Sequence, residues 1–331
     1  MWDRAPVTTV TAERATSKAL ASAATTAVLA LPSVCTPGSV PPWSRRANPA
    51  PNGRFAWAKQ QAAERARPRS STFCPVHGLI TGSGFYDIPE LEDRTVATAN
   101  TPYGPVRLTT GRWRGQPVAF LPRHGADHSV PPHAINYRAN VWALARAGVS
   151  GIIATAVSGG INPALTPGRL VLISDFLNFT SGRAETFFDG VTDPGFAHGR
   201  GPVTHTDMTA PYDPQMRAAI RRAAELESID LVDGAVYCTA NGPRFETPAE
   251  IRMMGMLGGD LVGMTGYPEV ALAREARVPY ASIGVISNPA AGLGAAELSA
   301  DDIFAVIDGA SDPLYRLISR TIELAGAGSA S

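Results

Sequence analysis

The chain has 331 residues, with 29 Lys+Arg against 29 Asp+Glu and 44% hydrophobic residues. That length suits one large α/β domain plus an extension, and zero net charge speaks against a nucleic-acid binder driven by phosphate contacts. Cys35, Cys74 and Cys238 lie far apart without a C-x-x-C pair, which argues against a disulfide framework or zinc site. No apolar run reaches the length of about 20 residues that spans a membrane, so no membrane partner and a cytoplasmic location are expected.

Residues 1–70 come first and read as a disordered or low-complexity extension. They hold two Lys and eight Arg against three acids, net +7, and six prolines fall between Pro32 and Pro51. Such a stretch buries too little apolar surface to offset its ordering entropy. A targeting peptide, Arg-rich and acid-poor, is the functional alternative. Both lysines, Lys18 and Lys59, lie in this extension. The remainder therefore has no lysine for a Walker A loop, a Schiff base or pyridoxal phosphate.

A folded core is expected over 76–328. Val76–Ile80 reads as a buried strand closed by Thr81-Gly82-Ser83-Gly84. Val106–Leu108 and Val118–Leu121 read as strands around a turn at Gly115. His133–Ala147 has helical spacing and stops at Gly148. Gly151–Ala156 and Leu170–Ser174 read as buried strands. Asp213-Pro214 caps a helix to Glu227, and Leu231–Thr239 is a strand. Thr247 and Glu250 form a capping box. Leu261–Met264 is a strand, Pro268–Ala276 a helix, Tyr280–Ser287 a strand, and a last helix runs from Ser299 to Ala325. Strands alternating with helices predict a single α/β domain whose central mixed, largely parallel sheet is flanked by helices.

In open α/β sheets ligands sit beyond the carboxyl ends of the strands. Gly82-Ser83-Gly84 offers backbone N–H groups and a hydroxyl to an anion, or is a plain turn. Arg123-His124 suits a phosphate, or is a surface Arg beside a turn His. Thr265, in Gly263-Met264-Thr265-Gly266, adds a hydroxyl before a helix, with Met264 either beside it or in the core. Phe245 and Glu246 supply a stacking face and an acceptor, although Glu246 also fits a solvated helix-start acid. Asn288 supplies a donor and an acceptor at a strand end, or a turn before Pro289. Together these are phosphate-type contacts and a set suited to a purine. No metal-ligand motif competes with them.

At this point the core resembles the trimeric purine nucleoside phosphorylase and methylthioadenosine phosphorylase family. The resemblance is carried by Leu79–Asp87, Leu121–Gly125, Asn136–Leu144, Thr180–Arg183, Gly242–Ile251 and Gly263–Ala273. It implies phosphorolysis of a nucleoside to free base and a ribose 1-phosphate, with inorganic phosphate as co-substrate and no other cofactor. It implies Ser83, Arg123, His124 and Thr265 at phosphate, Met264 against the ribose, and Phe245 and Glu246 at the base. Asn288 falls at purine N7, making Asn288 and Glu246 the expected catalytic pair. It also implies a homotrimer, with a neighbour's residue, around His128–His133, closing the 5′ pocket.

Members acting on 6-aminopurines resemble a Thr-Asp-Tyr-Asp pattern where this chain has Ser287-Asn288-Pro289-Ala290. Glu246 accepts N1–H from a 6-oxopurine, whereas adenine N1 is itself an acceptor. Hypoxanthine or guanine is therefore the expected base. Ala300 falls where family members bind a 5′-hydroxyl with His, and no His follows His205. An apolar 5′ pocket of Leu298, Ala300 and Ile303 favours a methylthio group, with Pro289 and Ala290 nearby. The combination resembles 5′-methylthioinosine phosphorylases, which yield hypoxanthine and 5-methylthioribose 1-phosphate in purine and methylthionucleoside salvage. A methylthioadenosine phosphorylase, a general 6-oxopurine nucleoside phosphorylase and a non-catalytic nucleoside binder are the alternatives. Two further expectations concern loops. Ala156 replaces a polar contact that Ser158 could supply, and Pro194–Pro202 reads as a lid or a surface loop.

Overall fold

The structure is a computed structural model that describes residues 76–125, 127–196, 203–294 and 300–327. All of them belong to one unit, Arg69–Ser331. The expected 1–70 extension lies outside the described residues.

Nine strands form one mixed sheet: β1 Val76–Thr81, β2 Glu92–Thr101, β3 Gly104–Trp113, β4 Gln116–Pro122, β5 Val149–Gly160, β6 Leu170–Asn178, β7 Leu231–Thr239, β8 Leu261–Gly263 and β9 Tyr280–Pro289. Five helices flank it: α1 Tyr137–Arg146, α2 Pro214–Glu227, α3 Pro248–Met256, α4 Gly266–Glu275 and α5 Ala300–Ala327. The strand order is β2-β3-β4-β1-β5-β8-β7-β6-β9, and β9 pairs back onto β5. Strands β5, β8, β7, β6 and β9 therefore close a ring, which the alternation of elements does not reveal. Pairings β1–β4, β1–β5, β5–β9, β6–β7 and β7–β8 are parallel. The β2–β3–β4 edge and the β5–β8 and β6–β9 joints are antiparallel.

Strand β5 is the hinge of this arrangement, and its residues explain why. Side chains alternate across a sheet. Ile152 and Ala154 accordingly enter one core with Val141, Leu144 and Val270, while Ile153 enters the other with Ile220, Ile283 and Leu317. Burial on both faces accounts for the unbroken apolar runs of the central strands. At its end β5 carries Gly159 and Gly160. A Cβ on Gly160 would lie 2.4 Å from the Leu165 carbonyl oxygen, and one on Gly159 would lie 3.1 Å from Ala290 Cα. Glycine there lets the Leu165 turn and the end of β9 approach β5 at the point where the ring meets the cavity.

The structure departs from the sequence expectation at several elements. The helix expected from His133 starts at Tyr137, because Asn136 takes the N-cap and its side chain accepts from the Ala139 amide. The preceding Pro132–Ala134 forms a separate 3₁₀ turn. Strand β2 has no counterpart in the sequence reading: nearly all of it is exposed, so its apolar alternation is missing and only pairing with β3 sustains it. The capping box at Thr247 and Glu250 is present in both directions. Among the described residues no helix is long and apolar enough to cross a membrane.

Candidate functional site

A cavity of about 300 Å³ opens beyond the carboxyl ends of β1, β4, β7, β8 and β9. Ser83, Arg123, His124, Phe245, Glu246, Met264, Thr265, Asn288 and Ala290 all line it. Residues more than 200 positions apart in sequence thus share one wall. Pro289 does not line it. That residue is exposed and pairs with Gly160, because successive residues of β9 face opposite ways. Ala300 begins α5, but its side chain, together with Leu298 and Ser299, lies outside the described residues. Ile303 and Phe304, one turn further along α5, line the cavity.

One end of the cavity is built around Arg123, which is 3% exposed. Its Nε donates to Glu269 Oε1 at 2.5 Å and its Nη2 to Oε2 at 2.9 Å. Its Nη1 donates to the Thr155 carbonyl at 3.0 Å. Burial opposes the guanidinium charge, and the Glu269 carboxylate outweighs it, so the pKa is raised. Gly82 closes over this arginine: its amide donates to Thr155 Oγ1 at 3.3 Å, and a Cβ there would lie 2.8 Å from Nη1. Only glycine lets the Gly82-Ser83 loop and the guanidinium meet.

His124 follows directly. Its Nδ1 lies 2.8 Å from the Val130 carbonyl oxygen, which can only accept, so Nδ1 carries the proton. In the neutral ring Nε2 is then an acceptor, and it donates to an anion only when the ring is protonated. The fixed tautomer makes its role depend on pH. His124 also stacks on His128, with ring centroids 4.9 Å apart, and His128 bonds Tyr86 through its hydroxyl. His128 also lines the cavity.

Burial lowers the pKa of both His124 and His77, whose Nε2 has no partner among the described residues. Below the ordinary histidine value of 6.5 the unfolded chain takes protons that the folded chain declines. Stability therefore rises with pH across that window and falls on acidification. Glu246 and Glu275, raised by burial, act with the opposite sign above 4.5. We expect His77→Gln to flatten the dependence of Tm on pH between about 7 and 5.5. An unaltered slope would show that His77 is not the group responsible.

The other end holds Glu246, Phe245 and Asn288. Glu246 is 9% exposed, and its Oε1 is buried with no hydrogen-bond partner among the described residues. A buried acceptor in that state carries a desolvation cost that a donor entering the cavity relieves. Burial accordingly raises its pKa. Asn288 is oriented by its neighbours: Ser287 Oγ donates to Oδ1 at 2.7 Å, and Nδ2 donates to the Pro289 carbonyl at 2.7 Å. One Nδ2–H and one Oδ1 lone pair remain. Phe245, 49% exposed, stands beside them at the mouth. Between the two ends, Met264 and Thr265 follow β8. The Thr265 and Gly266 amides both donate to Tyr237 Oη at 3.4 Å, and Thr265 makes no side-chain cap on α4.

Several contributors were not assigned from sequence. Arg183, at the end of Thr180–Arg183, donates to the carbonyls of Ala240, Asn241, Met264 and Tyr267, which clamps the loops after β7 and β8. Ser158 lines the cavity, and its hydroxyl donates to the Ala156 carbonyl at 3.0 Å. Glu269 is 0% exposed, and an acid inside Pro268-Glu269-Val270-Ala271-Leu272-Ala273 was the available signal for a buried ion pair. Within the expected lid, Pro194 accepts from Trp142 Nε1 at 2.9 Å, and residues 197–202 lie outside the described residues.

Residues 76–323 match the family model described as the phosphorylase superfamily. The chain is 43% identical over 250 residues to a 6-oxopurine nucleoside phosphorylase of Pyrococcus furiosus, covering 76% of this chain and 93% of that protein. It is 44% identical over 247 residues to a probable S-methyl-5′-thioinosine phosphorylase of Methanopyrus kandleri, covering 74% and 91%. A solved methylthioadenosine phosphorylase of Schistosoma mansoni, in complex with adenine, superposes with a TM-score of 0.70 at 31% identity, covering 76% and 92%.

Proposed function

This chain belongs to the phosphorylase superfamily, and on that premise we propose that it is a purine nucleoside phosphorylase, a pentosyltransferase, acting on 6-oxopurine nucleosides with an apolar 5′ substituent. The substrate we assign is S-methyl-5′-thioinosine, split by inorganic phosphate into hypoxanthine and 5-methylthioribose 1-phosphate. The observation that carries the base assignment is the buried, partnerless Oε1 of Glu246, with the Asn288 amide lining the same cavity. A carboxylate there accepts N1–H of a 6-oxopurine and repels the N1 lone pair of adenine. The sugar assignment is supported by Ile303 and Phe304 on the cavity wall. Burying a methylthio group against them contributes roughly 1–2 kcal/mol on area grounds.

In the proposed mechanism Ser83, Arg123 and Thr265 hold phosphate as donors, and neutral His124, whose Nδ1–H is taken by the Val130 carbonyl, accepts the P–OH of hydrogenphosphate at Nε2. A phosphate oxygen bonds to the anomeric carbon as the carbon–N9 bond breaks, and that electron pair passes to the purine. The proton that hydrogenphosphate gives up on becoming the sugar ester passes through solvent to N7, where Asn288 Oδ1 accepts the new N7–H, and Glu246 holds N1–H. Both effects are preorganised electrostatics combined with positioning. The reaction as proposed draws on phosphate and these side chains, without a further cofactor. A homotrimer forms part of the proposal. Phe304 stands 44% exposed on the cavity wall, where a neighbour or the substrate would cover it.

A general 6-oxopurine nucleoside phosphorylase is the second reading, favoured by His128 and Ser83, polar groups that share the wall with Phe304. The test is kcat/KM for methylthioinosine, inosine and methylthioadenosine, measured side by side in phosphate. Preference for methylthioinosine is the expected result. Preference for inosine would replace the sugar assignment, and preference for methylthioadenosine would overturn the base assignment. Nucleoside binding without phosphate-dependent turnover would overturn phosphorolysis itself.

A further inference from the structure

We propose that Glu269, buried behind the cavity wall and outside substrate reach, is the positioning residue that fixes phosphate recognition by aiming Arg123. The inference rests on the phosphorolysis reading and adds a residue to it. Two side chains grip this carboxylate, and through Arg123 the contacts extend to a third strand. Arg123 comes from the end of β4 and grips both carboxylate oxygens. Tyr280, at the start of β9, donates its hydroxyl to Oε2 at 3.0 Å. Arg123 in turn reaches β5 through the Thr155 carbonyl, and Thr155 Oγ1 accepts from Gly82 beside Ser83. Glu269 itself lies on α4, one turn after Thr265. The three polypeptide segments that carry Ser83, Arg123 and Thr265 are thus tied through a single hydrogen-bonded network.

The donor count explains what the network achieves. A guanidinium has five N–H donors in a rigid fork. Glu269 takes two and Thr155 one, which leaves one N–H on each terminal nitrogen. That remaining pair matches two oxygens of a tetrahedral oxyanion. Both partners of the ion pair are essentially inaccessible, with side chains 1% and 0% exposed, so neither rotates freely. Shortening the acid by one methylene keeps the charge and withdraws the anchor. A displacement of about 1 Å at a positioning group costs on the order of 10²-fold.

The test compares wild type, Glu269→Asp and Tyr280→Phe. Phosphate KM and nucleoside KM are measured separately, inorganic phosphate binding is measured by calorimetry, and Tm is recorded for each. We expect Glu269→Asp to raise the phosphate KM and Kd by at least about tenfold while the nucleoside KM moves less than about threefold. Tyr280→Phe removes only the third contact, so a smaller rise in the same parameter is expected, and it carries the test if the Asp variant does not fold. Folded variants with a lower Tm and no selective rise in phosphate KM would mean that Glu269 is merely structural, and the inference would be lost. Wild type without phosphate binding or phosphate-dependent turnover would instead defeat the phosphorolysis reading, and the inference with it.

Discussion

Glu246→Ala should lower kcat/KM for a 6-oxopurine nucleoside by about 10²–10³-fold, the scale on which removing one preorganised contact to a developing charge acts. The carboxylate's Oε1 is buried and has no partner among the described residues, and the proposed base assignment gives it the purine N1–H as donor. Glu246→Gln should lose less, because the amide oxygen still accepts although the charge is gone. The pH profile separates these effects. Burial raises the Glu246 pKa, and the protonated acid loses the negative charge that strengthens its hold on N1–H, so activity falls as pH drops through that raised value. In Glu246→Gln that acid limb should be absent. Equal kcat/KM in wild type and Glu246→Ala, measured with the same nucleoside, would remove Glu246 from the base pocket.

Arg123→Met should be the most destabilising change in the cavity wall, by about 3–5 kcal/mol, because it strands the buried Glu269 carboxylate without its cation. Tyr280 would remain as the one side-chain donor to that carboxylate among the contacts described above. Replacing both partners, Arg123→Met with Glu269→Leu, should recover most of that loss, since a buried ion pair exchanged for apolar residues of similar size is often neutral. Phosphate binding should stay lost in both. Denaturant unfolding at neutral pH gives the stability difference, and titration with inorganic phosphate gives the binding. If the double variant bound phosphate like wild type, Arg123 would be a structural residue only.

Most of the wall was legible because its residues follow strands, and strand ends are marked in sequence by glycine, proline and a break in apolar character. Ser83, Arg123, Glu246, Thr265 and Asn288 each stand just past such a break, and the structure gathers all five into one cavity. Helix α2 and strand β7 were bounded by Asp213-Pro214 and by the apolar run Leu231–Thr239, signals local to the chain. Pro289 was placed with its neighbours on adjacency alone, and the alternation of β9 turns it to the outside.

What the sequence by itself determined is the chemistry on offer: groups suited to an anion, groups suited to a purine and an α/β order of elements. These depend on residue type and on neighbours a few positions away. What only the tertiary structure decided is how each group is used. The ring closed by β5 and β9 joins segments more than 100 residues apart, and no local pattern encodes that pairing. The His124 tautomer is set by the carbonyl of Val130, and the fork of Arg123 is aimed by Glu269 from 146 positions away. Hydrogen-bond direction and the choice of ion-pair partner depend on distances of a few tenths of an ångström, and those distances exist only once the chain has folded.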